Sequence, residues 1–352
     1  MTASGGSPRH EFDLGWLDRR VLLSGAGLSR NWGGYLASEM WGAILSDPRI
    51  QGQPKLRELL LKEMNFETAL SIVQARTETF DEPARREMDE AVRSAFRLQD
   101  ANNCHALTGR IPSSWTRFAD GIVRRLVGKD QHHPEMTSFY FTLNQDILFE
   151  RGFAPPTAEP PNMPGVPSKD GFWRMPREHE ARPEPYSDQK HRVEVQRLTA
   201  PAFELRERFN YIKLHGSFNW DDGENAMLVV GGGKEDAIAR FPLLTAYFDL
   251  FRQVLMTGNI RLMVIGYSFN DDHVNQVIAE AVQRAGLRLV IMDPRPADDL
   301  RKQLLLANMG SIWSGLVDFI SRCPGELFAT DWGFGLSGEF ERLQRSFLQY
   351  AA

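Results

Sequence analysis

Cysteine is nearly absent from this chain: only Cys104 and Cys323 occur in 352 residues, far apart. Two thiols in one chain build neither a disulfide framework nor a four-thiolate zinc site. Long apolar runs are missing as well. No stretch reaches the roughly 18 uncharged apolar residues that a membrane-spanning helix requires. Positive charge is not in excess either, since 41 Lys and Arg stand against 46 Asp and Glu, for a formal charge of -5. That balance supplies no general attraction to nucleic acid, although a local patch such as "RRLVGK" is present. The opening "MTASGGSPRHEFDLGW" lacks the basic and apolar regions of a signal peptide and reads as a short disordered lead-in. These absences leave a globular, cytoplasmic protein as the expectation, and 42% apolar residues are enough for a sizeable core.

Against those absences stands a regular alternation. The runs "RRVLLSGAG", "SFYFTLNQD", "RFNYIKLHGS", "IRLMVIGYS" and "LRLVIMDP" are short, rich in branched or aromatic residues, and closed by Gly, Asn or Asp. They read as buried parallel strands. Between them, "ASEMWGAILSD", "KLRELLLKEMNFETALSIVQART", "PARREMDEAVRSAFRLQ" and "DDHVNQVIAEAVQRAG" repeat apolar residues at helical spacing. The expected fold is α/β: a Rossmann-like, doubly wound, mostly parallel sheet. Residues 45–130 carry helical patterns without a convincing strand and read as a helical insertion. Residues 151–201, rich in proline and then in charge, read as an irregular insertion. The whole of 1–352 is expected to be one domain.

Several strand ends carry residues suited to chemistry. Gly25 and Gly27 fall where an apolar strand turns into a helix, so backbone N–H groups there can approach a phosphate; strand-end glycines are also common for purely structural reasons. A plain dinucleotide fingerprint fails, because Arg30 stands at the third glycine position and a helical segment follows in place of a second strand. Asn144 and Asp146 follow the second strand directly, and a period of two would put them on one side; capping of the next helix is the simpler role for Asn144. His215, with Gly216 beside it, closes another strand and is a candidate for proton transfer, or a loop hydrogen bond. Gly266, Ser268 and Asp293 close the last two strands, where a ribose diol can be accepted by the carboxylate, while Asp271 or Asp272 suits a helix cap.

Taken in order, "GAGLS", "TLNQD", "KLHGS" and "GYSFNDDHV" resemble the motifs of the sirtuin-like superfamily. The resemblance implies that Gly25, Ala26, Gly27 and Ser29 contact the phosphates of NAD. It places Asn144 and Asp146 at the nicotinamide ribose and carboxamide, makes His215 the catalytic histidine, and puts Gly266, Ser268 and Asp293 on the adenosine side. Two departures matter. The stretch 217–266 contains no cysteine, where the protein deacylases carry a four-cysteine zinc module, and "NWGGYLASEMW" stands where they have G-I-P-D-F-R.

The stretches "GGYLASEMWGAIL" and "GYSFNDDHVNQVI" resemble instead the zinc-free, sirtuin-like NAD-cleaving effectors of bacterial antiphage defence. That likeness implies a NAD glycohydrolase with NAD as consumed substrate, no metal, and release of nicotinamide and ADP-ribose in abortive infection. The roughly 60 residues after Asp293 leave no room for an ordinary second domain, so sensing is expected from a separate subunit such as a HerA-type hexameric DNA translocase. Homo-oligomerisation is expected, with "RTETF" and "LLTAYFDLF" as surfaces for it or simply as core; direct binding to nucleic acid or membrane is not. Competing readings are a NAD- or ADP-ribose-sensing subunit and, with less support, a deacylase or ADP-ribosyltransferase.

Overall fold

The computed structural model describes residues 11–107, 113–118, 136–152, 161–167, 186–195, 205, 208–327 and 338–349. Among them the strands are β1 (Leu17–Ser24), β2 (Thr137–Thr142), β3 (Val193–Glu194), β4 (Arg208–Lys213), β5 (Gly216–Asp221), β6 (Ala226–Leu228), β7 (Arg261–Ile265), β8 (Arg288–Met292) and β9 (Leu316–Ile320). Six of these form one sheet in the order β4-β2-β1-β7-β8-β9, with every neighbouring pair parallel. The chain runs outward from β1 to β2 and β4, then returns to the centre and runs outward again through β7, β8 and β9. The switch therefore lies between β1 and β7, the position where doubly wound sheets open a crevice at the carboxyl ends of their strands. This is the expected Rossmann-like α/β fold.

Continuous burial explains why five of the six strands were readable. All residues of β2 and β7 are buried, and helices cover both faces of such a sheet, so no polar alternation survives. β9, "LVDFI", was not foreseen, nor was the small sheet β3-β5-β6, in which β5 runs parallel to β3 and antiparallel to β6.

Helices fill the early part of the chain: α1 (Ala26–Arg30), α2 (Ala37–Leu45), α3 (Pro48–Gln51), α4 (Pro54–Glu63), α5 (Phe66–Ala75), α6 (Glu82–Leu107) and α7 (Ser113–Phe118). The stretch from Lys55 to Thr77 forms two helices rather than the single one its periodicity suggests. Met64 adopts φ of 51° and ends α4, and the Asn65 side-chain Oδ1 accepts from the N–H groups of Glu67 and Thr68 to start α5. Such a side-chain cap satisfies orphan donors and fixes a break within a continuous apolar pattern.

α2 to α6 share a core of their own, built on residues such as Met40, Ile44, Leu60, Leu70 and Met88. Ile147 and Phe218 reach into it from the sheet side, and Phe218 stacks on Phe96 at 5.6 Å between centroids. Each fully buried side chain of this size is worth about 1.5–3 kcal/mol. A buried ion pair adds a second anchor: Arg151, on α8 (Leu148–Gly152), meets Asp100 of α6 through two nitrogens at 2.6 Å each. The helical region is thereby fixed beside the carboxyl end of β2.

Beyond these lie α9 (Asp188–His191), α10 (Lys234–Ala239), α11 (Pro242–Met256), α12 (Asp272–Ala285) and α13 (Ala297–Leu306). Phe80 of "RTETF" and Tyr247 and Phe251 of "LLTAYFDLF" are buried in the two cores. The first ten residues, "RRLVGK", and 153–160, 168–185 and 196–201 of the irregular stretch lie outside the described residues. Among the described residues no helix is long and apolar enough to cross a membrane.

Candidate functional site

The register of the sheet decides which loop tips meet. Thr142 pairs with Lys213, and Ser24 pairs with both Thr142 and Ile265. Two residues further on along each strand stand Asn144, His215, Ala26 and Tyr267, which leave the sheet at one level. Parallel neighbours are about 4.8 Å apart. Asn144 and His215 therefore follow the ends of the neighbouring strands β2 and β4, Asn144 beside β1 and His215 one strand further from the β1/β7 switch point.

At that switch point the glycines serve a backbone crossing. The Gly25 N–H donates to the Ile265 carbonyl at 3.0 Å and the Gly27 N–H to that of Gly266 at 2.9 Å. A Cβ on Gly25 would sit 2.8 Å from the Gly266 oxygen, and one on Gly27 would sit 2.8 Å from the Gly266 Cα. Gly266 has φ of 61°, a region that favours glycine. The expected use of the Gly25 and Gly27 N–H groups toward a phosphate thus gives way to bonds within the protein: α1 begins so close to the β7 turn that its first amides are taken by that turn.

Asn144 belongs to a buried polar seam. Its side-chain amide donates to Ser29 Oγ at 2.8 Å, and its backbone N–H to Thr142 Oγ1 at 3.1 Å. Thr142 Oγ1 lies 2.8 Å from Ser24 Oγ, which in turn accepts from the Tyr140 hydroxyl at 2.9 Å. The helix cap is Asp146 instead: its Oδ1 accepts from the N–H of Leu148 at 3.0 Å, and its Oδ2 from Gln99 Nε2 of α6 at 3.1 Å. Asn144 and Asp146 thus bind different elements. The period-two argument does not hold for them because β2 ends at Thr142.

The 146 loop is held from below. The Lys213 ammonium, fully buried, donates to Glu150 at 2.7 Å and to the Asp146 carbonyl, and lies over the Trp220 ring at 5.8 Å. Burial pushes the Glu150 carboxyl above its ordinary range, and Lys213 only partly offsets this. Close pairing is what makes a lysine at that depth tolerable.

His215 is buried at the turn between β4 and β5, and its Nε2 lies 2.9 Å from Nε2 of His273 on α12. Burial drives the His215 pKa down from 6.5 to about 3, with the Asp271 carboxylate offsetting only part of the effect, so the ring is neutral near pH 7. Burial lowers His273 as well. Asp271 makes no side-chain cap for α12; it accepts from the Lys234 ammonium at 2.7 Å, and Glu67 flanks that ammonium at 3.1 Å. Burial works against the Asp271 carboxylate, but His215 and Lys234 outweigh it and hold the pKa below the usual value. Glu67, Lys234, Asp271 and His273 line a cavity of about 870 Å³ between α5, the start of α10 and the start of α12.

His273, Lys234 and Glu67 were not singled out from sequence. The available signal was His273 in "GYSFNDDHV", in the first turn of a helix that follows a strand end. On the other side of the switch point, Ser268 is exposed and its carbonyl accepts from Gln303 at 2.8 Å. Asp293 is buried and paired with Arg295 at 2.6 Å, so its carboxylate is already engaged rather than open to a ribose. His215, Asp271 and His273 each offer a ligand atom within 4.8 Å of the others.

No curated protein matches the chain. A family model described as SIR2-like domain matches residues 138–313, half of the chain. The matched segment holds Asn144, Asp146, His215, Gly266, Ser268 and Asp293; β1 and the Gly-Ala-Gly turn precede it. With those residues set along the carboxyl edge of a Rossmann-like sheet, the chain belongs to the SIR2-like family, whose enzymes work on NAD.

Proposed function

We propose that this protein is a NAD glycohydrolase that splits NAD into nicotinamide and ADP-ribose. The observation that carries the reading is that a neutral, buried His215 and a Ser29-bound Asn144 both follow the carboxyl ends of adjacent parallel strands on the β1 side of the switch point.

Few groups are required for this reaction. Nicotinamide leaves its ribose as a neutral molecule from a cationic substrate, so no general acid is needed. The transition state resembles an oxocarbenium ion, and hydrogen bonds to the ribose hydroxyls stabilise it. In this reading Asn144 positions the ribose or the attacking water, and His215 accepts a proton from a ribose hydroxyl or that water. Asp146, fixed by Gln99 and Leu148, holds the carboxamide edge through the loop it shapes. Ala26 and Ser29 line the β1 side, Gly25, Gly27 and Gly266 keep the backbone close there, and Ser268 and Asp293 border the adenosine side. An ADP-ribose contact at Asp293 competes with Arg295.

The absence of cysteine from 217–266, where β5 and β6 form the small sheet, supports hydrolysis over protein deacylation. The likeness of "GGYLASEMWGAIL" and "GYSFNDDHVNQVI" to antiphage NAD-cleaving effectors supports a role in abortive infection, as a homo-oligomer joined to a HerA-type hexameric translocase. The decisive measurement follows nicotinamide and ADP-ribose by chromatography, without any acylated peptide, for the wild type, Asn144→Ala and His215→Ala, alone and with the translocase. Loss of a positioning group or base is expected to cost about 10²-fold or more. Equal turnover in all three proteins sinks these roles. NAD binding by calorimetry without product formation in any assembly would instead favour a sensing subunit.

A further inference from the structure

The two imidazoles that meet at the end of β4 have a third neighbour. His215, His273 and Asp271 place one ligand atom each within 4.8 Å of the others. The two Nε2 atoms are 2.9 Å apart. Two nitrogens on a tetrahedral ion, each about 2.0–2.1 Å from the metal, are about 3.3 Å apart. A small opening of the pair would therefore admit an ion between them. Asp271 and His273 also line the cavity of about 870 Å³, which gives an ion a route in and room for water to complete its coordination.

Charge around the trio favours a cation. Among the described residues Lys234 is the ammonium in contact with Asp271, and it is shared with Glu67. The Glu235 and Asp272 carboxylates also act on His273. On the cavity wall, among the described residues, Lys234 and Arg76 stand against the carboxylates of Glu67, Glu235, Asp236, Asp271 and Asp272, so negative charge is in excess. Two imidazole nitrogens with one carboxylate form a borderline donor set, suited to Zn²⁺ and related ions; Mg²⁺ and Ca²⁺ prefer oxygen alone.

We propose that His215, Asp271 and His273 bind a divalent cation of the Zn²⁺ type, and that filling this site silences NAD cleavage. The second half rests on the reading of His215 given above: a lone pair committed to the metal cannot accept a proton. The metal is thus an inhibitor of the hydrolase and no part of its chemistry.

The test titrates the chelator-treated full chain with Zn²⁺ by calorimetry and with Co²⁺ by visible absorption, alongside His273→Gln and Asp271→Asn, with thermal unfolding to verify that each variant folds. One ion per chain is expected, with tetrahedral Co²⁺ bands. Each variant should weaken binding at least as much as the roughly 10–100-fold loss that follows removal of an outer-sphere partner. Nicotinamide release by the metal-free protein should fall about 10²-fold as the site fills, the loss expected when a general base is removed. Binding that does not saturate, or that is equal in folded variants, overturns the site. A bound ion that leaves turnover unchanged or raises it overturns the silencing. If metal-free protein never releases nicotinamide, alone or with the translocase, the hydrolase reading fails and takes the silencing with it, while calorimetry and the Co²⁺ spectrum still decide the site.

Discussion

The Asn144 side chain donates to Ser29 Oγ across 2.8 Å, so the amide at the end of β2 is aimed by a residue of α1 rather than by its own strand. Two sequence motifs more than a hundred residues apart thereby form one piece of the site. The consequence is that Ser29 acts on the reaction through Asn144 as well as through any direct contact with NAD.

Ser29→Ala removes the acceptor for that amide. A net hydrogen bond of about 0.5–1.5 kcal/mol corresponds to roughly a two- to thirteenfold loss in rate. The loss should appear in kcat with little change in unfolding temperature, and steady-state nicotinamide release with a thermal melt measures both. Unaltered kinetics would show that Asn144 is positioned by other means.

Gly266→Ala tests the backbone crossing. Its new Cβ would lie 2.3 Å from the Leu28 nitrogen and 2.4 Å from the Gly27 carbonyl carbon, at a φ of 61°. The strain and the overpacking each cost about 1–3 kcal/mol. Gly286→Ala is the control, since that residue shares a positive φ of 66° but has nothing within 4 Å of its Cβ position. Denaturant unfolding should place Gly266→Ala well below Gly286→Ala; equal stabilities would mean the crossing tolerates a side chain.

Lys213→Met leaves Glu150 in the interior without its partner. Removing one member of a buried pair costs about 3–5 kcal/mol, whereas replacing both by apolar groups of similar volume is often close to neutral. The double variant Lys213→Met/Glu150→Leu should thus be more stable than Lys213→Met alone. Urea unfolding of the wild type and the two variants checks the order, and a double variant no more stable than Lys213→Met would contradict it.

Cys104 is expected to resist modification. Burial, assisted by the nearby Asp100 carboxylate, pushes its thiol up to about 12, so almost none is thiolate at pH 8. Cys323 is only half buried. Iodoacetamide at pH 8 should add one label to the native chain, at Cys323, and the second only in denaturant, as read by intact mass. Rapid labelling at both positions would show that the α6 region opens readily.

The strands of the large sheet were legible wherever burial on both faces left an uninterrupted apolar run, as in "VLLS", "SFYFT" and "LMVI". β9 escaped because Asp318, which pairs with Arg342, interrupts it, and β5 because "GSFNWD" carries Ser217 and Asn219, whose side chains bond each other at 2.7 Å. Polar residues inside a strand are stable when a tertiary partner satisfies them, and that partner is invisible in a local pattern. The break at Met64 and Asn65 went unread for a related reason, since the apolar spacing continues across it.

By itself the sequence determined the alternation of elements, and with it which residues close each strand: Gly25, Asn144, His215, Gly266 and Asp293 stand at strand ends because apolar runs stop there. Only the tertiary structure decided what those ends face. Strand order and register set Asn144 and His215 just past the ends of neighbouring strands, the crossing of α1 with the β7 turn took up the glycine amides, and the packing of α11 against β4, with α10 and α12 against α11, supplied His273, Asp271 and Lys234. Periodicity follows from bonds along one chain and is written locally; the neighbours of a side chain are set by how separate elements pack, which no single stretch records.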